Sequence, residues 1–183
     1  MGEGFIRDFT FEENRGNDEV GDFCEVKLKA NVSRPNGKPE PNFNLNAKIE
    51  PDNVFEDGSK DFMLKGNVSQ KSYIHMFNWY PSEDNKNYLC ITKYYKNEFA
   101  RPLTSFKFPP SGQITLSFPK FLKQDSVAEY VLIIATKEKL NIPCIVDENT
   151  KSILIERKKL LEIINNLDRR TWTKHMLAYK IIR

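Results

Sequence analysis

Short segments in which apolar and polar residues alternate recur along this 183-residue chain, and turn-forming residues separate them. Alternation with a period of two places successive side chains on opposite faces of a β-strand, so that one face can be buried. The clearest segments span residues 24–32, 43–49, 106–108, 114–118 and 128–136. Many short strands between turn signals predict a mostly β protein, namely an antiparallel β-sandwich of the Ig-like or a related type.

Two neighbouring segments, residues 24–32 and 43–49, are predicted to form an antiparallel pair. Both carry apolar side chains at every second position. The connection between them holds three prolines and the pair Asn36-Gly37. A turn is expected there, because proline lacks the N–H that a strand ladder needs and glycine accepts a positive φ.

A later stretch, residues 72–80, is apolar on both of its alternating faces. One face carries Phe77 and Trp79, and the other carries Ile74 and Met76. A strand without a polar face is typical of a position between two packed layers. Residues 128–136 are the most apolar segment and are predicted to be the central strand.

Only residues 150–170 have the spacing of an amphipathic helix. Leu160 and Ile164 recur at a helical interval, and charged residues occupy other positions of the helical wheel. Thr150 or Ser152 is the expected N-cap. The sequence therefore predicts one C-terminal helix that covers an edge or an open end of the strands.

The chain is predicted to fold as one domain preceded by a short arm. Residues 1–22 are rich in Gly, Asp, Glu and Asn and are interpreted as a flexible N-terminal arm. Residues 23–183 are interpreted as a single β-rich domain, because about 150 residues suffice to bury a core.

The charge balance argues against nucleic-acid binding. The 28 basic and 25 acidic residues are interleaved and give a net charge of only +3, whereas nucleic-acid binders cluster their basic residues. No apolar run reaches the length of about 18 residues that indicates a transmembrane helix. No signal peptide is visible at the polar start of the sequence.

Three cysteines, Cys24, Cys90 and Cys144, are far apart in the sequence. No two have the C-x-x-C spacing of a zinc site, so no metal site is predicted. Each lies in an apolar context, where a thiol behaves as a small buried hydrophobe. One disulfide among the three is the main alternative.

Four strand motifs occur in a fixed order between residues 49 and 139. They are Tyr73-Ile74-His75-Met76-Phe77-Asn78, Tyr88-Leu89-Cys90-Ile91, Phe106-Lys107-Phe108-Pro109 and Glu129-Tyr130-Val131-Leu132-Ile133-Ile134-Ala135-Thr136. In this order they resemble a bacterial family known only as domain of unknown function 4384. The chain departs from the family at residues 93–97, which lack its usual Phe-Pro-Asn segment. The resemblance implies a β-rich accessory module of bacterial envelope or multidomain signalling proteins, with no established catalysis.

Residues for catalysis are sparse, so no catalytic residue and no cofactor are predicted. A hydrolytic triad needs a base, and the two histidines, His75 and His175, have strand-like surroundings typical of structural positions. Glu129 is the most interesting carboxylate, because it opens the most apolar strand. The alternative of a hydrolase that uses Glu129, or the acidic residues near 52–57 and 83–84, requires a second carboxylate in the same pocket.

The aromatic residues give the one positive indication of a binding site. Trp79 and Tyr80 end a strand, and Tyr94 and Tyr95 follow in a loop. Such rings suit sugars, peptides or protein partners, because they offer a large contact area at low entropic cost.

The leading functional prediction is a non-catalytic interaction or scaffolding module of a bacterial cell-envelope protein, with other envelope proteins as partners. The alternative is a carbohydrate- or peptide-binding domain with a glycan or peptide as ligand. The predicted location is the periplasm or cell envelope, with the signal segment absent from the sequence, and the cytoplasm is the alternative.

Overall fold

A computed structural model of the chain describes residues 5–18, 21–33, 36–81 and 86–183. The described part is mostly β. Its strands are β1 (Phe5–Asp18), β2 (Gly21–Ser33), β3 (Leu45–Glu50), β4 (Val54–Glu56), β5 (Met63–Trp79), β6 (Asn87–Cys90), β7 (Leu103–Phe108), β8 (Ser126–Thr136), β9 (Ile145–Val146), β10 (Ile153–Glu156) and β11 (Trp172–Ile182). Its helices are α1 (Ile91–Tyr94), α2 (Arg157–Asn165) and a short 3-10 helix (Arg169–Thr171).

One open sheet of nine strands forms the body of the protein. Seven strands follow the order β4-β11-β8-β5-β6-β10-β9, and β3 and β7 also pair with β5. Strand β8 lies centrally between β11 and β5, as predicted. The prediction of a mostly β chain is confirmed, but the purely antiparallel prediction is wrong at one edge, where β4 runs parallel to β11. No hairpin joins these two strands, since they come from distant parts of the chain.

The 17-residue strand β5 belongs to two layers. Residues 63–68 pair with β3 and β7, whereas residues 73–79 pair with β8 and, at their end, with β6. The register between β5 and β7 shifts between Asn67 and Ser72. A shift of this kind bends a strand, so residues 63–68 and the predicted segment 72–80 belong to one bent strand.

Two hydrophobic cores lie on opposite faces of the second part of β5. The strand-covered core contains Ile74 and Met76, packed with buried residues of β3, β7, β8 and β11. The helix-covered core contains Phe77, packed with Leu160 of α2 and Trp172 of β11. The prediction that residues 72–80 lie between two packed layers is therefore confirmed.

Strands β1 and β2 form a separate two-stranded antiparallel sheet. The predicted pairing of residues 24–32 with residues 43–49 is wrong, because β2 pairs with β1 and β3 pairs with β5. Alternation identifies a strand with one buried face, but it does not identify the strand's partner. The turn prediction holds at Gly37, which has a φ of 84°. Strand β1 lies within the predicted arm of residues 1–22, whose flexibility stays a prediction.

The helix predicted over residues 150–170 is shorter than expected. Residues 153–156 form β10, which pairs with β6 and β9, and the helix begins at Arg157. Neither Thr150 nor Ser152 is the N-cap; Glu156 occupies that position without a side-chain capping bond. The β-branched residues before the helix favour a strand. None of the helices in the described ranges has the length and apolarity needed to cross a bilayer.

Candidate functional site

A pocket of about 520 Å³ opens beside the strand-covered core, at the end of β5. Ligand sites in proteins usually measure about 300–1,000 Å³, so the volume suits a small organic molecule or a peptide side chain. Residues from β5, β6, α1, β8, β11 and the segment 114–119 line it. The pocket thus collects side chains that are far apart in the sequence.

Three polar side chains from adjacent strands meet at the floor of this pocket. Asn78 of β5, Glu129 of β8 and Tyr179 of β11 all line it, and they are 3%, 3% and 4% exposed. Glu129 and Tyr179 are paired directly in the β8–β11 register, and Asn78 pairs with Val131, two residues along β8. Residues two apart in a strand share a face, so the sheet register alone brings the three side chains together. We call them the polar triad.

Hydrogen bonds connect the members of the polar triad. The Tyr179 hydroxyl donates to Oε2 of Glu129. Nδ2 of Asn78 donates to the Tyr179 hydroxyl oxygen at 3.1 Å and lies 3.5 Å from Oε2 of Glu129. Oδ1 of Asn78 is buried and has no hydrogen-bond partner in the described part of the chain. The triad therefore holds one acceptor whose hydrogen bond is not made.

The surroundings keep Tyr179 protonated. Burial, together with the nearby charge of Glu129, raises the pKa of the Tyr179 hydroxyl well above its usual value, and Tyr80 adds to this effect. Burial acts because a phenolate is poorly solvated in the protein interior, and the carboxylate acts by repelling a second negative charge. Tyr179 consequently remains a hydrogen-bond donor to Glu129 at all physiological pH values.

Aromatic rings form much of the pocket wall. Phe62 packs against Tyr179 with ring centroids 5.0 Å apart, and Tyr95 meets Phe108 edge to face at 5.3 Å. Such tilted and edge-to-face contacts are favoured by the charge distribution of the rings. They hold the rings in defined positions and shape an apolar mouth above the polar triad.

Three of the four predicted ligand-binding aromatics line this pocket. Tyr80, Tyr94 and Tyr95 do so, and the Tyr94 hydroxyl also accepts a hydrogen bond from the backbone N–H of Ile153 at 2.7 Å. Trp79 lies on the opposite face of β5 because successive strand residues alternate. It contacts Tyr88 and Tyr130, and the guanidinium of Arg157 lies 4.6 Å from its ring centroid. Whether the four residues bind a ligand stays a prediction.

His75 and Glu129 are on opposite faces of the sheet. The Thr136 hydroxyl donates to the carbonyl of Glu138, so it can accept from Nε2 of His75, which lies 3.3 Å away. Burial, with a smaller effect of Lys93, lowers the pKa of His75 to about 4. A neutral imidazole in this position is a structural group of the helix-covered core. His175 is paired with Ile133 of the strand-covered core, and it borders a separate cavity of about 280 Å³.

Cys90 and Cys144 form a disulfide between β6 and the segment before β9. The expectation that all three cysteines are reduced hydrophobes is therefore wrong for these two, and the alternative of one disulfide is correct. The side chain of Cys24 lies outside the described residues. The bond closes a loop of 54 residues and ties it to the helix-covered core.

Of the acidic residues predicted as hydrolase candidates, the described Asp52, Glu56 and Asp57 do not line the pocket. The Asp57 carboxylate accepts from the backbone N–H of Phe118 at 2.8 Å and so holds the segment 114–119 in place. Glu83 and Asp84 lie outside the described residues. In the described ranges, no group of three or more His, Cys, Asp or Glu residues is arranged to hold a metal ion.

Sequence reasoning identified Glu129 but missed Asn78 and Tyr179. The available signal was weak. Asn78 is a polar residue on an otherwise apolar strand, and Tyr179 is one of several tyrosines in strand-like segments. Their relation to Glu129 depends on pairings across 51 and 50 residues, and no local pattern encodes these pairings.

Comparisons with family models, curated proteins and solved structures found no match to this chain. The resemblance to the family of domain 4384 stays a prediction.

Proposed function

We propose that this chain is a non-catalytic binding module whose pocket takes a small organic ligand or a peptide side chain. The supporting observation is the combination of an aromatic wall with the buried polar triad in a pocket of about 520 Å³. Largely apolar pockets with a few convergent polar groups are the usual architecture of ligand sites. The ring contacts provide affinity, and the polar triad provides orientation.

Binding has more support than the hydrolase alternative. Within the described lining, Glu129 is the single carboxylate, and neither a histidine nor a cysteine contributes to the pocket. Acid–base hydrolysis by carboxylates uses two of them on either side of the bond that breaks. Glu129 is also engaged by the Tyr179 hydroxyl. These features favour recognition over reaction.

We also propose that the module works in the periplasm or cell envelope, next to other envelope proteins. The Cys90–Cys144 disulfide supports an oxidising compartment, because structural disulfides persist mainly outside the cytosol. An Ig-like or related sandwich is the finer fold assignment in this proposal. This assignment is supported by the strand-covered core, which β3 and β7 enclose together with β8 and β11.

The pocket is tested by blocking its mouth. Thr115 is exposed and lines the pocket, whereas Gln113 is exposed on the same segment but does not line it. Thr115→Trp should fill the mouth, and Gln113→Trp is the matched control. Both substitutions are at surface positions, where effects on stability are usually within about 0.5 kcal/mol.

Ligand-detected NMR with 2-phenylethanol, 2-phenylethylamine, methyl β-D-glucopyranoside and a blocked tyrosine amide measures occupancy of the pocket. We expect at least one compound to bind the wild type and Gln113→Trp, and to lose binding in Thr115→Trp. A preference for the glucoside supports the carbohydrate version of the proposal. Failure of all four compounds on the wild type, or equal binding to Thr115→Trp, would contradict the proposed function.

A further inference from the structure

The three-stranded layer of β3, β7 and the first part of β5 has two different faces. Its inner face packs Ile49, Leu64 and Phe108 into the strand-covered core. Its outer face borders a concave region of about 820 Å³, and none of the described residues that line this region lines the pocket beside the polar triad. The outer face is therefore a second and separate surface.

Three lysines lie side by side across this outer face. The sheet register pairs Lys48 of β3 with Lys65 of β5, and it pairs Lys65 with Lys107 of β7. Paired residues of adjacent strands share one side of a sheet and are about 5 Å apart, so the three lysines extend over about 10 Å. All three residues are exposed. We call them the lysine row.

A single carboxylate compensates part of this charge. Oε1 of Glu50 lies 2.7 Å from Nζ of Lys48, and its Oε2 lies 2.5 Å from Nζ of Lys65. Hydrogen bonds from these two lysines lower the pKa of the Glu50 carboxyl to about 2, so it is ionised at neutral pH. Lys107 has no ion pair with another residue of the described ranges.

The lysine row and Glu50 together therefore carry more positive than negative charge. Like charges that lie directly opposite each other in a sheet are destabilising. An anionic ligand would relieve this repulsion, and a ligand with several anionic groups would relieve it along the whole row.

A row of neutral polar side chains lies beside the lysine row. Asn46, Asn67 and Ser105 are paired with one another in the same register, and all three are exposed. Each lies two residues from one of the lysines, so the two rows share the outer face. Amide and hydroxyl groups both donate and accept hydrogen bonds, which suits the hydroxyl groups of a sugar.

The aromatic content of this face does not favour nucleic acid. Among the described lining residues Phe106 is the single aromatic, and its ring is buried in the strand-covered core over Gly66. Single-stranded nucleic acids are held by bases that stack on accessible rings. The outer face offers charge and hydrogen bonds without such a ring.

We propose that the outer face of β3, β5 and β7 binds a linear acidic polysaccharide. Its carboxylates lie along the lysine row, and its hydroxyl groups contact the neutral row. A chain with one carboxylate on each sugar unit presents several anionic groups over the length of the lysine row. This site goes beyond the proposed function, since it uses neither the pocket nor the polar triad.

Calorimetric titration of the full chain with tetragalacturonate at pH 7 tests the proposal. At 50 mM NaCl we expect tetragalacturonate to bind at least ten-fold more tightly than maltotetraose, a neutral chain of four sugars. At 500 mM NaCl its affinity should fall at least five-fold, because salt screens exposed charges. Absence of tetragalacturonate binding, equal affinities for the two sugars, or an affinity that salt does not change would overturn the proposal.

Two double variants of equal net charge locate the site. Lys65→Gln with Lys107→Gln removes two members of the lysine row, and Lys158→Gln with Lys159→Gln removes two exposed lysines of α2. The first variant should bind tetragalacturonate at least five-fold more weakly than the wild type, and the second should remain within two-fold. Circular dichroism confirms that both are folded. Equal affinities of the two folded variants would contradict the proposal.

Two other polyanions test the choice of a polysaccharide. Pentathymidylate carries four phosphodiester groups, and a tetraglutamate peptide with blocked ends carries four carboxylates, so both match tetragalacturonate in the number of charges. We expect both to bind more weakly than tetragalacturonate at 50 mM NaCl. An equal or higher affinity for either would assign the lysine row to a nucleic acid or an acidic peptide and would overturn the proposal.

Discussion

The two faces of β5, β8 and β11 bury different chemistry, although the same strands build both. One face places Asn78, Glu129 and Tyr179 under an open pocket. The other packs Phe77, Leu132 and Trp172 against α2, and the Cys90–Cys144 disulfide ties this side together. The helix-covered face holds its strands in register, and that register positions a polar triad on the opposite face. Both sides of the sheet bury a hydrophobic core, and the proposed function places recognition on the side of the polar triad.

The largest expected effect concerns the helix-covered face. Cys144→Ser removes the disulfide, and the loop-closure entropy for a separation of 54 residues corresponds to about 4 kcal/mol of unfolding free energy. Urea unfolding with and without a reducing agent measures this loss. The reducing agent should destabilise the wild type by a similar amount and leave Cys144→Ser nearly unchanged. A loss below about 1 kcal/mol would show that the disulfide is not a main support of this face.

The pH dependence of the unfolding free energy tests the helix-covered face, because His75 lies on it. Its pKa is about 4 in the folded protein and about 6.5 when unfolded, so the unfolded state binds more protons between these values. The resulting stability is complete above pH 6.5 and is lost as the pH falls towards 4. Allowing for partial exposure, the loss amounts to about 2–3 kcal/mol. Urea unfolding at pH 7, 5.5 and 4 measures it.

Two glutamine variants isolate the contribution of His75. His75→Gln should remove most of this decline, and His175→Gln, on β11, should keep it. An equal decline in wild type and His75→Gln would mean that His75 is not the group responsible.

Replacing one tyrosine on each face by phenylalanine compares the contribution of the two hydroxyls to the unfolding free energy. Tyr88 in the helix-covered core and Tyr179 in the polar triad are both 4% exposed, and the Tyr179 hydroxyl is hydrogen-bonded to Glu129 and Asn78. Tyr179→Phe removes these two hydrogen bonds and should cost about 1–2 kcal/mol. Tyr88→Phe should change the unfolding free energy by less than about 0.5 kcal/mol. Chemical denaturation measures both, and equal losses would remove the contrast between the faces.

A small net effect on stability is expected for Glu129→Gln. Removing a buried charge is favourable, whereas the loss of a charge-assisted hydrogen bond from Tyr179 is unfavourable. The two contributions oppose each other, so we expect a change below about 1 kcal/mol in denaturation at pH 7. A loss above about 2 kcal/mol would assign Glu129 to the stability of the fold and not to recognition.

Local patterns predicted the strands better than their partners. The alternation over residues 72–80 and 128–136 identified the strands at the centre of the sheet and both faces of the first of them. The prediction paired β2 with the wrong strand, because an alternating pattern fits any neighbouring strand equally well. The helix was predicted too long because Ile153 and Ile155, which lie in β10, also fit a helical spacing with the residues that follow.

The candidate site was predicted only in part, for the same reason. Tyr80, Tyr94 and Tyr95 line one pocket, whereas Trp79, which was grouped with them, is directed to the other face by strand alternation. Asn78 and Tyr179 join Glu129 only through the register of three strands. Long-range register is decided by the packing of the whole sheet, which single segments do not contain.

The bent strand β5 makes the pocket sensitive to distant changes. Gly66 lies under the ring of Phe106, where an added Cβ would be 2.2 Å from a ring carbon, so any other residue at this position would require Phe106 to move. One residue inserted between Asn67 and Ser72 would move every later side chain of β5 to the opposite face of the sheet. The Asn78 amide would then face the helix-covered core, and the ring of Phe77 or Trp79 would face the pocket.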